Sequence, residues 1–150
     1  MTRIDFFFNV EDRLQKVVEL SEKAVRKGRR LVLYTQDESL AKEVGGRLWS
    51  GSPMSFLPHC PVDHALATET PIILDWRSAD FPHHDVLINL QSEYPPFFSR
   101  FTRLIEIVGL DEEDRAKARA RYKFYRERGY ELRLYDANGA AYEPDSKRTR

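Results

Sequence analysis

The stretch 111–129, DEEDRAKARARYKFYRERG, has the residue types and the spacing to bind an anion. Its first residues are acidic and its later residues are basic, which suits the dipole of a helix, and Gly129 is a natural helix end. At about 100° per residue, such a helix gathers cationic and aromatic side chains on one side. We call this set the basic face, and its members are Arg115, Arg119, Tyr122, Lys123 and Arg126.

Two interpretations of the basic face remain open at this stage. A charge run is usually a solvated surface, with the interspersed alanine and aromatic residues packed on a sheet. Alternatively, the cations and Tyr122 edge a groove that captures an acidic peptide or a phosphate backbone, since arginine pairs bidentately with both groups. A second basic stripe lies roughly opposite and consists of Lys117, Arg121 and Arg128.

Metal or nucleophile chemistry has weaker candidates, which lie in two short segments at 59–64 and 83–85. These segments contain all four histidines and the single cysteine, but their spacing matches no zinc pattern. No neighbouring residue would activate Cys60 as a nucleophile, and the sequence has no Gly-x-Ser-x-Gly elbow. We therefore expect no catalytic residue, no metal and no cofactor.

A nucleotide site is also disfavoured at the first strand–helix turn. Residues 8–12 read FNVED, so the turn has no glycine and places two carboxylates where a phosphate would lie. The Gly45-Gly46 pair lies inside a helical pattern without a following phosphate-loop lysine, and indicates close packing or a kink.

The segment 48–59, LWSGSPMSFLPH, combines turn residues with large apolar side chains. Trp49, Met54 and Phe56 either tuck under the domain or present a patch to a partner. Tryptophan and methionine with few charges are typical of the core of a protein interface. A loop folded over the sheet edge and an interface both remain open on this composition.

The totals restrict the class of protein. The chain has 150 residues, with 24 bases and 24 acids, which suits one neutral domain and disfavours a wholesale nucleic-acid binder. One cysteine excludes an internal disulfide and favours a reducing, cytoplasmic compartment. The sequence has no apolar run of about 18 residues and no signal-peptide pattern, so we expect no membrane partner.

Alternating patterns predict the elements that position these residues. Helices are predicted from Asn9, with Asp12 completing a box-like start, to Gly28, and from Thr35 to Trp49. A short helix is predicted within 94–101, where prolines favour a first turn. The loop 50–61 lies between elements. Strands are predicted at 3–8, 30–34, 71–76, 85–90, 103–108 and, at an edge, 130–135.

This order predicts an α/β fold over residues 1–136. We expect a three-layer α/β/α fold with a mostly parallel central sheet. The fold is predicted to be Rossmann-like but without a nucleotide site. The stretch 137–150 turns polar and ends in SKRTR, so it is predicted to be a disordered tail.

Several segments together resemble the chi subunit of bacterial DNA polymerase III. They are the FFF strand, KGRRLVLYTQDE, the aromatic loop LW…SFLPH, DVLINL and ARARYKFYRERGYEL. The resemblance extends over nearly the whole chain and is specific in the order and spacing of the aromatic loop and the basic helix. Residues 61–84 diverge from the family pattern, and the tail after Tyr135 is longer than in the family.

The resemblance implies a non-catalytic accessory subunit of the DNA polymerase III holoenzyme in DNA replication. Its implied partners are the psi subunit, which tethers chi to the clamp loader in a heterodimer, and the acidic C-terminal tail of single-stranded DNA-binding protein (SSB). DNA would then be reached only indirectly, at replication forks on the nucleoid. The family resembles mononucleotide-binding folds but binds no nucleotide.

The resemblance also implies two sets of site residues. The psi surface uses the aromatic loop and maps to Trp49, Phe56, Pro58 and His59, where an accessory helicase of a large superfamily competes. The SSB-tail site maps to Val108, Arg115, Arg119, Tyr122 and Lys123.

Two other functions stay open beside this one. The basic helix alone is compatible with a module that binds single-stranded nucleic acid directly, with a steep salt dependence. An enzyme built on His59, Cys60 and His64 is the third hypothesis, which a stoichiometric zinc would support.

Overall fold

A computed structural model describes residues 1–50, 57–61, 64, 66–75 and 80–142. The helices are α1 (Arg13–Arg26), α2 (Glu38–Ser50) and α3 (Glu112–Glu127). The strands are β1 (Arg3–Val10), β2 (Leu31–Tyr34), β3 (His59–Pro61), β4 (Ile72–Asp75), β5 (Val86–Asn89), β6 (Arg103–Gly109), β7 (Glu131–Tyr135) and β8 (Ala141–Tyr142).

The strands of the described residues form one sheet in the order β3-β4-β2-β5-β6-β1-β7-β8. Neighbours from β3 to β7 pair in parallel, and only β8 runs antiparallel. The predicted α/β class with a mostly parallel sheet is therefore confirmed. Two details differ from the sequence prediction. His59–Pro61 is an edge strand rather than loop, and β7 is covered by β8 rather than lying at the edge.

Helices cover both faces of the sheet and give two separate cores. On one face, α1 and α2 pack apolar side chains on Leu33, Ile88 and Ile107. On the other face, α3 and the segment 94–101 pack on Val32, Leu87 and Leu104. Strand residues alternate between these cores because successive side chains point to opposite faces. The predicted short helix is a single 3-10 turn at Phe98–Arg100.

The start of α1 corrects the sequence prediction. Asp12, not Asn9, caps the helix, and its carboxylate accepts a hydrogen bond from Gln15 N at 3.1 Å. Asn9 instead belongs to β1, where it adopts a positive φ of 59°. Asparagine tolerates this left-handed conformation better than most residues. It lies where the register between β1 and β6 shifts, between Phe7 and Val10. The predicted end of α1 is confirmed, since Gly28 follows it with a φ of 76°.

A buried polar cluster fixes α3 against the sheet. Glu106 on β6 is fully buried and accepts hydrogen bonds from Tyr125 Oη at 2.6 Å and Arg121 Nε at 3.1 Å. Asn89 on β5 donates to the same carboxylate at 3.1 Å, and Arg121 Nη1 donates to Ser92 O at 2.6 Å. Burial raises the pKa of Glu106, and the positive charge of Arg121 opposes that shift. Burial likewise raises the pKa of Tyr125, which keeps its hydroxyl protonated as a donor.

This cluster corrects the predicted second basic stripe. Arg121 is only 3% exposed and points into the protein, whereas Lys117 and Arg128 are exposed. A guanidinium can be buried here because Glu106 pairs with it and Ser92 O accepts a further hydrogen bond from Nη1.

A hairpin follows β7 in a stretch that the sequence analysis assigned to the tail. Asp136 N donates to Ala140 O at 3.0 Å, and β8 pairs with β7 through Tyr135. Lys16 Nζ on α1 donates to Ala137 O at 2.8 Å and so ties the hairpin to the domain. The boundary placed at residue 136 therefore falls within this hairpin, and residues 143–150 lie outside the described residues.

Removing one partner of the buried cluster should strongly destabilise the fold. We expect Arg121→Met to lower the free energy of unfolding by about 3–5 kcal/mol, because it leaves a buried carboxylate without its counter-charge. The matched control, Lys117→Met on the same helix, removes an exposed pair and should cost less than about 1 kcal/mol. Urea unfolding measures both, and similar losses for the two variants would contradict the role of the cluster.

Candidate functional site

The basic face of α3 lies along one shoulder of the helix, beside the end of β1. Arg115 Nη2 donates to Asn9 Oδ1 at 2.9 Å, so a side chain of the strand holds its guanidinium. Arg119 pairs with Glu112 of the same helix at 3.0 Å, and both side chains are mostly exposed. An exposed ion pair of this kind contributes about 0–1 kcal/mol to stability. A ligand with several carboxylates can therefore displace Glu112.

Aromatic packing places Tyr122 within this face. Its ring lies edge-on to Phe6, with the ring centroids 5.6 Å apart, and the residue is half-buried. The guanidinium of Arg126 lies 6.0 Å from the centre of the same ring. Lys123 is exposed and makes no ion pair within the described residues. The face thus combines a fixed aromatic edge with exposed cations.

Val108 occupies a different position from the other four predicted residues. It belongs to the core beneath α3 and is only 4% exposed, so it supports the site from below and presents little surface. Leu110, just after β6, is 50% exposed and is a better candidate for an apolar wall. The sequence analysis missed Leu110, although an apolar residue between a buried strand and an acidic helix start is a recognisable signal.

We call the described residues of the predicted psi site, Trp49, Pro58 and His59, the aromatic surface; it lies at the other end of the sheet. Trp49, near the end of α2, is 68% exposed, and Pro58 is exposed just before β3. His59 begins β3, and its Nε2 lies 3.7 Å from where a Cβ of Gly45 would lie. Because Gly45 and Trp49 are one helical turn apart, His59 packs beside the same side of α2. Phe56 lies outside the described residues.

The sheet holds the two surfaces apart. The aromatic surface adjoins α2 and the edge strand β3, and the basic face adjoins α3 over β6 and β1. Four strand spacings separate β3 from β6, which amounts to about 19 Å. The two helices also cover opposite faces of the sheet. Two ligands could therefore be held at once without contact between them.

The histidines are not gathered into a metal site in the described part of the chain, where no group of three potential ligands is found. His83 is buried, and neither ring nitrogen has a hydrogen-bond partner among the residues that the structure describes. Cys60 is buried in β3 as a free thiol. Across the described residues, no helix is both long and apolar enough to cross a membrane.

The fold and the two surfaces define an α/β domain with candidate interaction faces on both sides of one sheet. Residues 1–133 match the family described as DNA polymerase III chi subunit, HolC. The chain is 38% identical over 136 residues to DNA polymerase III subunit chi of Pseudomonas aeruginosa, covering 88% of this chain and 94% of the relative. The chain therefore belongs to the DNA polymerase III chi subunit family.

Two further relatives have the same name. The subunit of Haemophilus influenzae is 36% identical over 108 residues, which cover 71% of this chain and 75% of that protein. The subunit of Escherichia coli is 29% identical over 132 residues, which cover 87% and 88% of the two chains. The resemblance predicted from the sequence is confirmed at the level of the family.

The buried His83 gives the fold a measurable dependence on pH. Burial, helped by the charge of Arg30, lowers the pKa of His83 to about 4. The unfolded chain binds this proton near pH 6.5, so stability is full above that pH, falls as the pH decreases, and levels off near pH 4. We expect the His83→Leu variant to lose this pH-dependent part of the stability, while the His84→Gln variant keeps it.

Urea unfolding between pH 7 and pH 5 tests this expectation. Wild type should lose about 1–2 kcal/mol more than His83→Leu over that interval. Parallel losses in the two proteins would show that His83 does not contribute.

Proposed function

We propose that this chain is a non-catalytic accessory subunit of the DNA polymerase III holoenzyme in DNA replication. In this role it links the clamp loader, through the psi subunit, to the acidic C-terminal tail of SSB on single-stranded DNA. The observation that supports the proposal most directly is the pair of chemically different surfaces on opposite faces of a sheet, in a chain of the chi family. Such a protein would act in the cytoplasm at replication forks.

The basic face supports the SSB half of the proposal. An SSB tail is acidic and ends in an apolar side chain with a free carboxylate. Arg115 and Arg119 supply guanidiniums that can fork onto carboxylates, while Tyr122 and Leu110 offer apolar contact. Two or three charge-assisted contacts of about 1.5–3 kcal/mol each would suffice for a micromolar, salt-sensitive complex.

The arrangement of Arg119 favours capture by exchange. In the free chain its guanidinium already pairs with Glu112, so the side chain is extended over the helix surface before a ligand arrives. A carboxylate of the tail would replace that of Glu112 and keep the number of ion pairs unchanged. The net gain in binding free energy would then come from the tail's second contact, at Arg115.

The aromatic surface supports the psi half of the proposal. An exposed tryptophan beside a proline and a half-buried histidine has the composition of an interface core with few charges. Because α2 and β3 meet there, the surface is built on regular elements rather than on a loop alone. An accessory helicase that used the same residues would compete with psi.

Removing Arg119 should weaken the tail complex. We expect Arg119→Ala to raise the dissociation constant for an SSB-tail peptide by about tenfold or more, the equivalent of one charge-assisted hydrogen bond. Glu112→Gln should instead tighten binding, because it removes the competing carboxylate. Calorimetric titration measures both, with Lys117→Ala as the control.

The control cation is exposed on the same helix but lies outside the basic face. Equal affinities of wild type and Arg119→Ala would remove the basic face from the site. A gel shift of bare single strands, without SSB, that depends on Arg119 would favour direct nucleic-acid binding instead.

Truncating the exposed tryptophan should weaken the binding of psi but not that of the SSB tail. We expect Trp49→Ala to reduce co-purification with psi by more than about tenfold, since buried tryptophan anchors often contribute about 2 kcal/mol or more. Its affinity for the SSB-tail peptide should stay within about twofold of wild type, because distant sites act independently. The strands β3 and β6 are four strand spacings apart, and α2 and α3 cover opposite faces of the sheet. Retained psi binding would exclude Trp49 from that interface.

A further inference from the structure

The end of β1 contains a bulge beside α3. Between two matched pairs of residues, β1 has Phe8 and Asn9 where β6 has only Val108. An extra residue of this kind interrupts the ladder of the two strands and turns a side chain away from its regular direction. Bulges are common next to functional sites for this reason.

The bulge turns the side chain of Asn9 toward α3. Side chains of a regular strand alternate between the two faces, so Asn9 would point to the same side as Phe7, which packs with α1 and α2. Instead, Asn9 Oδ1 accepts the hydrogen bond from Arg115 Nη2 at 2.9 Å, and Arg115 belongs to α3 on the other face. Val10 then lies in the same core as Phe7. The bulge therefore brings Asn9 to the face of the sheet that α3 covers.

Asparagine is the residue type that suits this position. Among the described residues other than glycine, Asn9 alone has a positive φ. Glycine, asparagine and aspartate adopt this conformation most readily. Glycine would offer no side-chain acceptor to the guanidinium, and aspartate would offer a charged one. Asparagine therefore combines the backbone conformation with an uncharged acceptor.

Two arginines of the basic face are held by chemically different partners. Arg119 pairs with the carboxylate of Glu112, which balances its charge in the free chain. Arg115 is held by the neutral amide of Asn9, and it makes no ion pair with any residue that the structure describes. A carboxylate that binds Arg119 has to displace Glu112, whereas at Arg115 it meets no charged competitor.

The helix itself does not favour a cation at the position of Arg115. This residue follows the first turn of α3, where the helix dipole favours acids, and the three residues before it are acidic. The hydrogen bond to Asn9 gives the cation a fixed place that the helix does not provide.

We propose that Asn9 is a positioning residue of the tail-binding site, which orders Arg115 for a carboxylate of the SSB tail without neutralising its charge. This role rests on the proposed function and acts through Arg115, because Asn9 itself need not touch the tail. An arginine that is already ordered loses less side-chain entropy when a ligand binds. Because the acceptor is uncharged, the full positive charge of Arg115 attracts the tail.

Two substitutions at Asn9 test this role, because glycine and aspartate both tolerate the positive φ. We expect Asn9→Gly, which removes the acceptor, to weaken calorimetric binding of the SSB-tail peptide by about fivefold, the equivalent of one hydrogen bond. Asn9→Asp should weaken it by about tenfold or more, because the new carboxylate pairs with Arg115 and competes with the tail. The matched controls are Asn138→Gly and Asn138→Asp, at an exposed asparagine of the β7–β8 hairpin, and they should stay within about twofold of wild type.

A double-mutant cycle separates positioning from a general effect on the fold. Arg115→Ala should keep a measurable affinity for the peptide through Arg119 and Lys123. In that background, Asn9→Gly should change the affinity by less than about twofold, because the guanidinium that Asn9 positions is absent. An equal loss from Asn9→Gly in both backgrounds would overturn the proposal, since Asn9 would then act without Arg115.

Three further results would overturn the role of Asn9. They are wild-type affinity of Asn9→Gly, wild-type affinity of Asn9→Asp, and a loss in Asn138→Asp as large as that in Asn9→Asp. The last result would show a general effect of added negative charge rather than competition at Arg115.

The proposed function has a separate readout in Arg119→Ala. If that variant loses the tail while Asn9→Gly binds it as wild type does, only the positioning role of Asn9 is overturned. A wild-type chain that binds no SSB-tail peptide would overturn both.

Discussion

The buried carboxylate of Glu106 is the constraint on which the geometry of the basic face depends. It takes hydrogen bonds from Arg121 and Tyr125, which lie one turn apart on α3, and from Asn89 on the neighbouring strand. This fixes the rotation of α3 about its own axis. At about 100° per residue, Arg119 then lies on a shoulder of the helix rather than against the sheet. A different rotation would bury cations that the proposed SSB-tail site uses.

The same helix shows how a charged residue can be assigned to the wrong side. The sequence pattern groups Arg121 with Lys117 and Arg128 in one basic stripe, because helical spacing brings the three to the same side of α3. Its partner is nevertheless visible in the sequence, as the one acid inside the buried strand RLIEIV. Pairing between these residues depends on how α3 packs over β6, which helical periodicity alone does not specify.

Strand and helix order, by contrast, were predictable from local patterns. Apolar runs such as RLVLY and DVLINL are typical of strands buried on both faces, and the structure places β2 and β5 side by side in the middle of the sheet. The misses involve irregular backbone. Asn9 adopts a left-handed conformation inside a strand, and β8 forms in a polar stretch held by contacts with α1. Such features depend on tertiary contacts more than on composition.

This neutral domain nevertheless concentrates cations in separate regions. Two buried acids help to position cations: Glu106 lies beneath α3, and Asp5 holds Arg3 and Arg103 at the starts of β1 and β6. Asp5 accepts a hydrogen bond from Arg103 Nε. Glu106 accepts one from Arg121 Nε and so fixes the helix that carries the basic face. Charge is thus balanced inside the domain while exposed cations remain available at its surface.

A charge-exchange experiment tests the central claim most directly. Calorimetry would compare Arg119→Glu with an SSB-tail peptide in which one aspartate at a time is replaced by lysine. We predict that Arg119→Glu loses the native tail and that one lysine-bearing peptide recovers most of the lost affinity. Loss of the native tail without recovery by any such peptide, or no loss at all, would contradict a direct ion pair between the basic face and the tail.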